Sequence, residues 1–132
     1  ISTIQIESRT LGDIAQNHII PTAIKYQNTL IENVRGLKEI YSSNYKIHAR
    51  EQILILERIS NHIAEINTAI SLMILARKKA DIIKDTHEKA LTYCKSILPF
   101  LSSIRYQCDK LELTVDDQIW PLAKYRELLF IR

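Results

Sequence analysis

Glycine is nearly absent from this chain, with two in 132 residues, and proline is scarce, with three. So few turn formers argue against a many-stranded sheet and for long helices. Two isolated glycines also cannot build a phosphate-cradling loop. Cysteine is limited to Cys94 and Cys108. On one helix, at ~1.5 Å per residue, they would stand ~21 Å apart, while a disulfide tolerates at most ~7 Å between Cα atoms. The pair therefore reads as two small core residues in a reducing, cytoplasmic compartment. No apolar run approaches the ~20 residues that span a bilayer, and no signal peptide is visible. Charge of one sign is missing too. The net charge is +3 with a pI near 8.9, but acids and bases interleave. The densest basic cluster, Arg77-Lys78-Lys79, is short, so neither a nucleic-acid groove nor a membrane surface is expected as partner.

The chain does have periodicity. Ile19, Ala23, Tyr26, Leu30, Val34, Leu37 and Tyr41 recur in steps of three and four, which line one side of a helix. Ile20, Ile24 and Ile31 widen that stripe, as suits a helix touching two partners. The first helix is expected over about 4–41. Pro21 lies near its middle, lacks an N–H and crowds the carbonyl of Asn17, and it should push Ile20 toward extended geometry. A kink is expected there, with a full break between two helices as the alternative. Gly12 and Gly36 weaken the helix slightly.

Ser42-Ser43-Asn44 is the first turn signal. A second helix over about 46–83 carries the seam Leu56, Ile59, Ile63, Ile66, Ile70, Met73. Leu54 and Leu72 point away from that seam. They are either candidates for contact outside the domain or two ordinary exposed leucines. Asp85 with Glu88 resembles a capping box and opens a third helix over about 86–114. Ala90, Cys94, Ile97, Leu101, Ile104, Cys108, Leu111 and Val115 form the strongest periodic signal in the chain. Pro99 should kink it. Arg105 lies near the centre of this stripe and must reach water or an acid, with Glu39 and Glu65 as conceivable partners. Pro121 suits the start of a short last helix over about 121–130, docked by Trp120, Leu122, Tyr125 and Leu129. The expected fold is all-α: an elongated antiparallel three-helix bundle, one domain over 1–132, with a kinked first helix and a short C-terminal helix.

Chemistry-bearing constellations are sparse. His18, His48, His62 and His87 are scattered, and no pair has the spacing of helix metal ligands. His62 lacks the neighbours of a phosphorelay histidine. Asp116-Asp117 could bind a cation, but adjacent carboxylates closing a helix are far more often solvated. No serine or cysteine has an obvious neighbouring base. The catalytic, cofactor-binding and metal sets are therefore all expected to be none.

Two stretches carry a resemblance. IESRTLGDIAQNHIIPTAIKYQNTLIENVRGLKEI, 6–40, closely resembles the region that follows the catalytic barrel in type III glutamine synthetase, with LGDIAxNHxxPTAxxYQNTL as its long motif. RYQCDKLELTVDDQIWPLAKYRELLFIR, 105–132, resembles the extreme C-terminus of the same enzymes, through VDDxxWPLxKYRELLF. The segment ARKKADIIKDTHEKALTYCKSILPFLSSI matches in character, and 44–75 is the least distinctive part. The resemblance implies a parent enzyme that joins ammonia to glutamate at the expense of ATP, with Mg or Mn, and that assembles as a dodecamer of two hexameric rings. Its metal-binding, nucleotide and substrate residues would lie in an upstream catalytic domain, so none carries over to a position here. The expectation is an excised, inactive C-terminal helical domain with a structural role, whose partners are that catalytic domain and other copies. The alternative is a free-standing helical module that recognises a partner helix through an exposed stripe such as Leu54 and Leu72.

Overall fold

The computed structural model describes residues 2–115, and the expected helix over 121–130 lies outside them. Among the described residues there is no strand; three helical rods pack side by side. The first rod comprises α1 (Ser2–Ile14), a five-residue π-turn (Ala15–Ile19) and α2 (Ile20–Tyr41). A 3-10 turn at Ser42–Asn44 and the short α3 (Tyr45–His48) make the first corner. The second rod is α4 (Arg50–Asp81). The third comprises α5 (Thr86–Thr92), a second π-turn (Tyr93–Ile97) and α6 (Leu98–Thr114).

Both π-turns end two residues before a proline, and the sequence explains why. Pro21 offers no N–H to the carbonyl of Asn17, and its ring would strike that carbonyl in a regular helix. The chain widens one turn instead: the Ile20 N–H donates to Ala15 O, five residues back. Before Pro99 the Leu98 N–H donates to Tyr93 O in the same way. A π-turn of this kind adds one residue to the helix without breaking it. The expectation that Ile20 becomes extended is therefore corrected. Its backbone stays helical at φ −62° and ψ −47°, because the widened turn makes room for the ring, and the rod continues without a break.

The second π-turn also corrects the inward face of the third rod. Ile97, Leu101, Ile104, Cys108, Leu111 and Val115 are buried as expected, but Cys94 is exposed and Tyr93 takes the core position. The extra residue in the wide turn rotates everything upstream of it. Cys94 is thus not a core residue, whereas Cys108 is.

Each corner has a local cause. Ser42 has a φ of 51°, a left-handed conformation that ends α2 sharply. Tyr41 stacks on His48 across this corner with ring centroids 3.7 Å apart. At the second corner the extended Asp85 caps α5, its carboxylate accepting the Glu88 N–H at 2.9 Å.

Side-chain bonds fix the order of the rods. Gln27 donates to Ser60 Oγ and Gln52 donates to Asn33, so numbers rise on the first rod as they fall on the second. His62 meets Gln107 while Tyr93 meets Asp81, which sets the second and third rods antiparallel as well. The core runs along the junction of the three. Leu11, Ala15 and Ile19 come from the first rod, Ile59, Ile66, Ile70 and Met73 from the second, and Tyr93 through Leu111 from the third. α6 lies along α4, α1 and the first π-turn, whereas α2 packs mainly on α3 and α4. The bundle is elongated because the first rod extends past the length over which all three meet.

Candidate functional site

One cluster of polar groups that the fold brings together sits at the end where α4 turns into α5. Gln5 of α1, Asp81 at the end of α4 and Tyr93 of the third rod converge there. The Gln5 amide donates to Tyr93 Oη at 3.1 Å and to Asp81 at 3.4 Å, and the Tyr93 hydroxyl donates to Asp81 Oδ1. Lys89 Nζ stands 3.8 Å from the same carboxylate oxygen. Burial, and next the hydrogen bond to Asp81, hold the Tyr93 phenol above its ordinary value of 10.0. A phenol kept protonated and already committed to a carboxylate is a poor acid or base at neutral pH. The cluster does the work of a peg that ties three rods together.

A second tie joins the first and third rods. Arg105 pairs with Glu7. Glu7 is not among the conceivable partners, Glu39 and Glu65: the parallel packing of α1 on α6 brings it to the arginine across 98 residues of sequence. Both side chains are about one-third exposed, so Arg105 keeps its stem in the bundle and its head at the edge. His62 Nδ1 lies 2.6 Å from Gln107 Oε1, a geometry in which the imidazole N–H donates to the amide oxygen. That bond gives His62 a place in the scaffold. Ser8 is fully buried and donates to Gln5 O one turn back.

Among the described residues no group of three or more His, Cys, Asp or Glu gathers as metal ligands. Gly12 lies within α1 and Gly36 within α2, so neither opens a phosphate-binding loop. Asp116 and Asp117 lie outside the described residues. Leu54 and Leu72, singled out by their position off the seam, are both exposed. The peg at Gln5, Asp81 and Tyr93 left no mark in the sequence, since its members are separated by 76 and 88 residues.

Comparison with known proteins adds what the geometry alone does not give. Residues 1–38 match the family model described as the glutamine synthetase C-terminal domain. A glutamine synthetase of Bacteroides fragilis (strain YCH46) is 45% identical over 130 residues, covering 98% of this chain. The chain is similar to a glutamine synthetase over nearly its whole length. A type-3 glutamine synthetase of Dictyostelium discoideum is 27% identical over 137 residues, again covering 98% of the chain. The chain spans 18% of the length of each of these relatives. The resemblance carried by 6–40 and 105–132 therefore holds from end to end. No helix among the described residues is long and apolar enough to cross a membrane.

Proposed function

We propose that these residues form the non-catalytic C-terminal helical brace of a type III glutamine synthetase. The parent enzyme would join ammonia to glutamate at the expense of ATP. The observation that carries the reading is the match over 98% of this chain to 18% of a relative called glutamine synthetase. In this reading the ATP and the Mg or Mn of that reaction are held by other parts of the parent. The brace packs on the catalytic domain of the same chain and supports a cytoplasmic homo-oligomer, a dodecamer in the parent. Catalysis requires groups held within about 0.5 Å of a productive geometry, and a rigid bundle is suited to supply that stiffness from outside.

The test compares the full-length enzyme with one truncated before Ser8, by analytical ultracentrifugation and glutamine formation. The truncated enzyme is expected to lose ring assembly and most of its turnover. Unchanged assembly and turnover would refute the brace. The 132-residue chain alone, given ATP, ammonia, glutamate and magnesium, is expected to make no glutamine; turnover by it would overturn the division of labour.

A further inference from the structure

A cleft of about 450 Å³ opens between α1 and α4, with Arg9 and Arg77 both on its walls. Its floor is apolar, made by Ile70 and Met73, with Gly12 beside them. Among the described residues neither arginine makes an ion pair. Asp13 shares the cleft, but its Oδ1 already accepts from the Asn17 amide at 2.9 Å. Two cations thus face one space from two helices, and with the Asp13 carboxylate counted the lining still carries a net positive charge.

Gly12 adds a second, independent observation. It lies within regular helix with no positive φ, so the backbone does not require glycine there. A methyl group in its place would meet only Met73 Cε, at an ordinary 3.7 Å. Packing does not require glycine either, and in a helix it is less stable than alanine. What the missing side chain does provide is depth in the cleft beside Met73.

From these features we propose that the cleft binds a small organic anion, a carboxylate or phosphate monoester with an apolar stem. The guanidinium forks of Arg9 and Arg77 would take the anionic head, since their planar donors match both oxyanions. The stem would lie over Gly12 against Ile70 and Met73. An apolar floor beneath the charges strengthens their pairing relative to open water, and the volume falls within the range of metabolite sites.

The experiment is isothermal titration of the 132-residue chain, at constant ionic strength, with phenyl phosphate, benzoate and inorganic phosphate. Saturable binding is expected, tighter for phenyl phosphate than for inorganic phosphate because only the former has a stem to bury. The ratio of phenyl phosphate to benzoate distinguishes a phosphate head from a carboxylate. Arg9→Gln and Arg77→Gln are each expected to weaken binding about tenfold or more. Lys78→Gln, which removes an exposed charge absent from the cleft's lining, should leave it unchanged. Gly12→Ala keeps the protein testable if an arginine variant unfolds: it should raise the melting temperature while weakening phenyl phosphate. Absence of saturable heat with all three probes would overturn the proposal. So would an equal loss in Lys78→Gln, which would signify diffuse attraction to a basic protein.

Discussion

Cys108 and Cys94 lie on the same rod and differ in almost every chemical respect. Cys108 is fully buried, and its thiol is pushed from 9.0 up to about 12, first by burial and then by the carboxylates of Asp109 and Glu112. At pH 8 a thiol at 9.0 is about one-tenth thiolate. A thiol near 12 is about one ten-thousandth thiolate, so the reactive form falls about a thousandfold before steric protection is counted. Titration of the folded protein with a chromogenic disulfide at pH 8 should therefore consume one thiol promptly, at the exposed Cys94. The second should react many-fold more slowly, and at full rate in denaturant. The same shift makes stability depend on pH. The folded-state value is raised, so above pH 9 the unfolded chain loses the proton while the folded chain holds it. The contribution is complete below pH 9 and is lost as pH rises toward 12. From pH 9 to 10 the protein should lose about 1 kcal/mol more than Cys108→Ala does, measured by denaturant unfolding of both. Two thiols reacting at similar rates in the folded protein, or identical pH profiles for the two proteins, would refute the placement of Cys108 in the core.

Two further outcomes test the bundle itself. Tyr93→Phe keeps the ring in the core but removes the hydroxyl shared by Gln5 and Asp81; a cost of about 1 kcal/mol is expected in the urea midpoint, and no change would show that the peg is ornamental. Leu54→Ser combined with Leu72→Ser should move stability by no more than about 0.5 kcal/mol, since both leucines are exposed. A fall of several kcal/mol in a thermal melt would mean that the bundle covers them.

The sequence by itself determined that the chain is helical and which faces are apolar. Ile59, Ile66, Ile70 and Met73 of the second rod's seam and the stripe from Ile97 to Val115 are buried where three-four spacing put them, with Ile63 half-buried between, because that spacing brings side chains to one side of any helix. It also determined both corners: Ser42 to Asn44, and the cap of Asp85 on Glu88, depend on residues a few positions apart. The prolines mark where the helices must deform, and the similarity to glutamine synthetases was legible in the motifs at the two ends.

Only the tertiary structure decided how each deformation was absorbed and which distant residues met. A proline can break, kink or widen a helix, and the packing of Ile19, Ile20 and Ala23 on their neighbours favours the outcome that keeps the rod continuous. The widened turn at Tyr93 then exchanged Cys94 for Tyr93 in the core, a one-residue rotation that periodicity cannot foresee. Arg105 found Glu7, and Tyr93 found Asp81 and Gln5. Such pairs are set by the register of one rod against another, and register is a sum of packing contacts along the whole length of a bundle. The cleft between Arg9 and Arg77 belongs to the same class, since it exists only once α1 lies against α4.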